Sequence, residues 1–148
     1  MESNGERGGM TLKDKFTEWF KGDAEAVSFA AALWDVAQDW DDLEDEGKTS
    51  HPFIAWLAFG KEFDPFMRRY PDIIRGAMMS CYLKWQASNV LDHEDVTKSY
   101  MLRAGIYDVW HLMAYLVGGH DWAVSIGPDI YRQYNETLDG LREELSDA

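Results

Sequence analysis

Residues 24–46 read AEAVSFAAALWDVAQDWDDLEDE and contain neither proline nor glycine. Large apolar side chains recur in this stretch at every third or fourth position, at Phe29, Leu33, Val36, Trp40 and Leu43. That spacing places them on one side of an α-helix, because an α-helix repeats every 3.6 residues. The stretch therefore predicts a long amphipathic helix that ends before Gly47.

Segments with the same periodicity lie on both sides of this helix. They are predicted between Thr11 and Gly22, at 53–60, 71–89 and about 96–117, and from Pro128 onward. No segment of useful length alternates apolar and polar residues as a strand would. Residues 65–71 are predicted to form an irregular connection, and His120 and Asp121 to lie in a turn.

The segment at about 96–117 is apolar nearly all round from Met101 to Val117, which predicts a central, buried helix. The fold class is therefore predicted to be all-α, a single-domain bundle of about six helices around this central one. A chain of 148 residues buries roughly 70% of its unfolded surface, so one core is sufficient. We expect residues 11–148 to form the domain and residues 1–10 to form a flexible tail.

The charge of the chain is strongly negative, with 27 acidic residues, 14 basic residues and a formal net charge of -13. Such a surface repels phosphate backbones and anionic lipid headgroups. No stretch reaches the roughly 18 apolar residues that a membrane span needs. We therefore expect no nucleic-acid partner, no membrane partner and a cytoplasmic location. The single cysteine, Cys81, has apolar sequence neighbours and is expected to be a buried side chain.

Four carboxylates form a row along the predicted helix 24–46. Asp35, Asp39, Asp42 and Glu46 fall within an arc of roughly 60° beside its apolar face. Like charges four residues apart destabilise a helix by a few tenths of a kcal/mol per pair. A divalent cation, basic side chains from another segment or water must therefore stabilise the row. Because Mg²⁺ and Mn²⁺ prefer carboxylate oxygens, the row indicates either a metal site or a solvated acidic face.

Asp108 is a second carboxylate of interest, because it lies in the apolar segment 96–117. It shares a helix face with Met101, Ala104, Leu112 and Tyr115. A buried carboxylate needs a partner, since an unpaired buried charge costs several kcal/mol. That partner is a metal ion shared with helix 24–46, a tyrosine hydroxyl or an arginine. The candidate arginines are Arg68, Arg69, Arg75 and Arg103. His111, one turn onward, is either a ligand or a hydrogen-bonded core histidine.

Two short acidic motifs carry resemblances to known families. Residues 41–45 read Asp41-Asp42-Leu43-Glu44-Asp45 and resemble the D-D-x-x-D motif of isoprenoid synthases, which are also all-helical. This resemblance implies that Mg²⁺ is bound between acidic side chains and a diphosphate.

The other resemblance is to the all-helical nucleotide pyrophosphohydrolases of the MazG and dimeric dUTPase group, many of which are phage-encoded. Asp39-x-x-Asp42 stands where that group has E-x-x-E, and Gly105-x-x-Asp108 stands where it has E-x-x-D. The resemblance implies that carboxylates on two packed helices hold Mg²⁺ against a diphosphate. The metal would polarise the phosphorus oxygens and orient an attacking water.

The leading functional hypothesis from the sequence is a metal-dependent all-α enzyme that hydrolyses a nucleotide or another phosphorylated small molecule, with Mg²⁺ or Mn²⁺ as cofactor. Its metal ligands would be Asp35, Asp39, Asp42 and Asp108. Asp39, Asp42 and Asp108 would be its catalytic residues. The substrate contacts would be Arg68, Arg69, Arg75 and His111, because these are cationic or polar groups in an acidic chain.

A non-catalytic function is the competing hypothesis. An acidic face also suits an interaction or regulatory protein that binds a basic partner. The Trp-rich faces of the helices would equally suit a module that associates with copies of itself, so a homo-oligomer is a further expectation.

Overall fold

The computed structural model of the chain describes residues 10–45 and 51–147, with the backbone alone for residues 39–45, 51 and 52. Within these ranges the chain is all-α, as predicted, and contains no strand. The helices are α1 Leu12–Trp19, α2 Ala24–Asp45, α3 His51–Phe63, α4 Pro65–Arg69, α5 Pro71–Leu91, α6 Val96–Leu102, α7 Gly105–Gly118, α8 His120–Tyr131 and α9 Leu138–Ser146. The predicted tail falls, except for Met10, outside the described residues.

Local sequence signals account for several helix ends. Thr11 caps α1 in a reciprocal capping box with Asp14, and Thr137 caps α9 through its hydroxyl. Gly22 has a φ of 77°, a left-handed conformation that glycine adopts without steric cost, and it turns the chain from α1 into α2. The long helices α2 and α5 follow the predicted periodic segments closely, which confirms that part of the prediction.

The predicted helix at 96–117 is two helices rather than one. The chain breaks at Arg103 and Ala104, between α6 and α7. Gly105 begins α7 in close contact with α5, where an added Cβ would lie 3.3 Å from the Cα atom of Cys81. This close approach of two backbones fixes the start of α7, and it cannot be read from periodicity, because Leu102, Arg103 and Ala104 are all good helix formers.

Two other predicted connections were wrong. Residues 65–69 form the short helix α4, whose first turn is capped by the side chain of Asp64. His120 and Asp121 begin α8, and Pro128 lies inside this helix instead of starting the last one. Pro128 removes a hydrogen bond to the carbonyl of Val124, but Val124 is 62% exposed and water can reach that carbonyl. The last helix is α9, which follows a connection at residues 132–137.

The core forms around α7, which confirms its predicted central position. α7 packs against α2, α5 and α8 and buries seven of its residues, from Gly105 to Ala114. The indole of Trp110 is fully buried there, and four aromatic rings lie 4.9–5.9 Å from it, those of Phe16, Trp19, Trp34 and Tyr107. Among the described helices, none has the length and hydropathy that a bilayer crossing requires.

Candidate functional site

The predicted row of carboxylates lies partly outside the described side chains. α2 is helical through Asp45, so the backbone that carries Asp35, Asp39 and Asp42 is as expected. The side chain of Asp35 is exposed. The side chains of Asp39 and Asp42, and the whole of Glu46, lie outside the described part of the chain. The metal hypothesis for this row therefore stays a prediction.

Asp108 lies at the surface rather than in the core, with 46% of its side chain exposed. The expectation of a buried face was wrong because Met101 and Tyr115, which share that face, are themselves exposed. Both carboxylate oxygens of Asp108 have partners. The ammonium Nζ of Lys84 lies 2.9 Å from Oδ2, and the hydroxyl of Tyr131 donates a 2.6 Å hydrogen bond to Oδ1. Of the predicted partners, a tyrosine hydroxyl is therefore observed. The cation that pairs with Asp108 is Lys84 and not one of the predicted arginines.

The predicted substrate arginines do not converge on Asp108. Arg69 pairs with Asp23 and Glu25, and Arg68 donates hydrogen bonds to backbone carbonyls at the end of α3. Arg75 is exposed on α5, nine residues before Lys84. That separation corresponds to roughly 13 Å along the helix axis. Lys84 is the side chain that meets Asp108, whereas Arg75 lies near the start of α5 and Arg68 and Arg69 lie on α4.

His111 has a partner in the protein itself. Its Nε2 atom lies 2.9 Å from the carbonyl oxygen of Ala123, and its ring packs edge-on against Tyr131. An added Cβ on Gly127 would lie 2.8 Å from Nε2, so the imidazole fills the space between α7 and α8. This arrangement matches a hydrogen-bonded core histidine, the alternative to a substrate contact.

No group of three His, Cys, Asp or Glu side chains that could hold a metal ion occurs within the described ranges.

The pairing of Asp108 with Lys84 and Tyr131 leads to a direct test. Asp108→Asn is expected to lower the free energy of unfolding by at most about 1 kcal/mol, because an exposed ion pair contributes little. Thermal unfolding should show the same loss with and without millimolar Mg²⁺. The control is Asp121→Asn, at an exposed aspartate in the first turn of α8.

A metal-ligand role for Asp108 makes the opposite prediction. Mg²⁺ would then raise the melting temperature of the wild type and of the Asp121→Asn control, since a ligand that binds the folded state stabilises it. The Asp108→Asn variant would lose that response. This pattern would contradict a purely structural role for Asp108.

One concave site of the described structure is a cavity of about 210 Å³, which we call the aromatic cavity. It lies between α2, α5, the start of α7 and the connection from α8 to α9. The rings of Trp34, Trp85, Tyr107 and Tyr134 line it. Gln38 and Asn135 are exposed lining residues and mark its mouth. Their amide groups make no hydrogen bond within the described residues, so they can serve an incoming molecule.

The charged side chains at one end of the aromatic cavity, Arg103 and Glu136, pair with each other. Arg103 donates to Glu136 through Nε at 2.8 Å and through a terminal nitrogen at 3.3 Å, and its other terminal nitrogen lies 3.8 Å from Asp92. The hydroxyl of Tyr134 lies 3.1 Å from Oε1 of Glu136. Burial alone would lower the pKa of Arg103, but its hydrogen bond and its charge interaction with Glu136 raise it. The guanidinium is therefore fixed in its charged form.

The thiol and the phenols that line the aromatic cavity stay protonated at neutral pH. Burial raises the pKa of Cys81 to about 12, and burial together with the charge of Glu136 raises the pKa of Tyr107 to about 12. Burial and Glu136 also raise the pKa of Tyr134. General acid–base and nucleophilic catalysis need a group whose pKa lies near the working pH. None of these three groups meets that requirement.

Sequence reasoning missed this cavity. Its lining residues come from positions 34 to 136, and most are aromatic or aliphatic side chains that a periodic pattern assigns to the core. The sequence offers one usable signal, Arg103, which is a cation inside an otherwise apolar segment and was one of the predicted partners of Asp108. Its partners are Glu136 and Asp92 instead.

Comparison of the chain with protein-family models, with curated proteins and with solved structures finds no match.

Proposed function

We propose that the protein binds a small, neutral, planar heteroaromatic molecule in the aromatic cavity, and that it acts as a binding protein. The observation that carries this proposal is the combination of four aromatic walls with a charged end whose cation, Arg103, is already paired with Glu136. Ligand sites are typically concave and mostly apolar, with a few polar groups that fix the orientation of the ligand. The aromatic cavity has these properties.

The size of the cavity limits the size of the ligand. An engineered protein cavity of about 150 Å³ accommodates benzene. A volume of about 210 Å³ is therefore suited to a molecule of about two fused rings. Flat rings gain from contact with the faces and edges of Trp and Tyr side chains. Gln38 and Asn135 offer amide donors and acceptors at the mouth, which favours a ring system with nitrogen or oxygen atoms on one edge.

The charges favour a neutral ligand over a phosphorylated one. Arg103 is the only cation among the residues that line the cavity in the described structure, and two carboxylates already surround it. A phosphate placed there would have to compete with Glu136 for the guanidinium and would approach two negative charges. The raised pKa values of the thiol and phenols likewise support binding rather than covalent catalysis.

The test uses adenine as the neutral two-ring probe and adenosine monophosphate as its anionic counterpart, measured by isothermal titration calorimetry. We expect adenine to bind with a Kd on the order of 0.1–1 mM, a normal affinity for a ligand of about ten heavy atoms. Ala37→Leu adds bulk to a wall of the cavity and should weaken binding at least about tenfold, which corresponds to about 1.4 kcal/mol.

Ala58→Leu provides the matched control, because Ala58 is an exposed helix residue on α3 that does not line the cavity. This variant should bind adenine like the wild type. The proposal is wrong if adenine does not bind, or if both leucine variants bind it equally well. Tighter binding of the monophosphate than of adenine, especially with Mg²⁺, would instead favour the metal-dependent hydrolase predicted from the sequence.

A further inference from the structure

A strip of exposed, uncharged residues runs along the outward face of α5. Its residues follow one another at intervals of three and four positions, a pattern we call the outer stripe. The outer stripe consists of Ile73, Gly76, Ser80, Leu83, Ala87 and Val90. Leu83 is 58% exposed and Val90 is 65% exposed, and Met79 is exposed beside them. A helix of 21 residues thus presents an uncharged strip to solvent over most of its length.

The opposite face of α5 is already used by the core. Ile74, Met78, Cys81 and Ser88 are buried there. The large apolar side chains of the outer stripe, Ile73, Leu83 and Val90, lie on the side away from the core, and exposed apolar patches of this kind mark interaction sites. The alternation of three- and four-residue steps in the outer stripe is also the seam spacing of packed helix pairs. Both properties indicate that a second helix covers the outer stripe.

The charge distribution favours a second copy of this chain as the partner. Each copy carries a formal net charge of -13, so two copies repel each other over most of their surfaces. α5 is an exception, because it contains one acidic residue, Asp72, and two basic residues, Arg75 and Lys84. It is therefore a surface where two copies can meet with little repulsion. A strongly basic partner would gain nothing from an uncharged strip.

The order of residues in the outer stripe is self-complementary. When two copies of α5 run antiparallel about a twofold axis midway between positions 80 and 83, the facing pairs are Ile73 with Val90, Gly76 with Ala87, and Ser80 with Leu83. The large residues Ile73 and Val90 thus face each other at both ends of the interface. The small residues Gly76 and Ala87 face each other nearer the twofold axis. Nothing lies within 4 Å of an added Cβ on Gly76, so a second helix has room to approach. This is the arrangement that an isologous twofold interface requires.

We propose that two copies of the chain form a homodimer through the outer stripes of α5, packed antiparallel. Two helices of 21 residues, each roughly 31 Å long, bury on the order of 1,000 Å² in total when they pack along their length. That area lies at the lower limit for a specific interface, so the dimer is a weak one. We expect a dimer Kd in the range of about 1–100 µM.

The primary test compares Leu83→Glu with Val124→Glu by sedimentation velocity over a range of concentrations. Val124 is a matched control, because it is 62% exposed on α8 and lies outside the outer stripe. Leu83→Glu places two carboxylates near the twofold axis and should raise the dimer Kd at least about a hundredfold. Val124→Glu should leave it unchanged. Far-UV circular dichroism verifies that both variants fold, as expected for exposed positions.

The register has its own test, the double variant Ser80→Glu with Leu83→Lys. In the antiparallel register each introduced carboxylate faces an introduced ammonium of the other copy, so the double variant should dimerise within about tenfold of the wild type. In a parallel register like charges would face each other. The proposal is overturned if the wild type stays monomeric up to several hundred micromolar, if both glutamate variants weaken association equally, or if the double variant is monomeric.

Discussion

Replacing Trp110 with alanine is expected to lower the free energy of unfolding by about 3–5 kcal/mol, the range for removal of a large aromatic side chain from a core. The indole is fully buried on the central helix α7. Its ring lies 4.9 Å from that of Phe16 and 5.6 Å from that of Trp34, so it joins α1, α2 and α7. A domain of this size has a total stability of only about 5–15 kcal/mol, and the variant therefore loses a large part of it.

Chemical denaturation followed by far-UV circular dichroism measures this loss. Tyr115→Ala is the matched control, because Tyr115 also lies on α7 but is half exposed, and we expect it to cost less than about 1 kcal/mol. A loss below about 1.5 kcal/mol for Trp110→Ala would contradict the packing described above, because it would mean that the three helices do not depend on this side chain.

Trp110→Phe adds a second check on the same position. The indole Nε1 of Trp110 is buried and has no hydrogen-bond partner among the described residues. A buried donor without a partner costs about 1–3 kcal/mol relative to its solvated state. Phenylalanine removes this donor and keeps most of the ring contacts, so part of the lost packing is offset. We therefore expect Trp110→Phe to be much closer to the wild type than Trp110→Ala.

The parts of the fold that were predicted correctly depend on local patterns. α2 and α5 were found because apolar residues recur at helical spacing over more than five turns without an interruption. Tertiary contacts decide the parts that were not found. The break before α7 depends on the close approach of Gly105 to Cys81. α8 continues through Pro128 because the carbonyl that loses its hydrogen bond, that of Val124, is exposed to water. Neither feature has a signature in the local sequence.

The site was predicted less well than the fold for a related reason. Asp108 was assigned to a buried face because its helix neighbours are apolar, but apolar residues also occupy exposed positions, as Met101 does here. The aromatic cavity is assembled from residues about a hundred positions apart, so no spacing rule applies to it. Charge signals were more informative than motifs. The isolated cation Arg103 belongs to an ion pair that lines the cavity in the described part of the chain.

The second large effect is expected at Arg103 itself. Arg103→Ala removes the forked hydrogen bond to Glu136 and leaves two largely buried carboxylates, Glu136 and Asp92, without their cation. Removing one partner of a fully buried ion pair costs about 3–5 kcal/mol. The side chain of Arg103 is about one-fifth exposed, and solvent screening reduces the effect. We therefore expect a loss of about 2–3 kcal/mol in the free energy of unfolding.

Two further variants separate the ion pair from simple loss of bulk. Arg103→Lys keeps the charge but not the planar fork, so it should recover only part of the stability. Glu136→Gln combined with Arg103→Ala should lower the free energy of unfolding by less than the sum of the two single changes. Once one partner of the ion pair has been removed, removal of the other no longer breaks the pair. Additive losses would show that Arg103 acts through packing alone. In that case the ion pair at the charged end of the aromatic cavity would have no stabilising role.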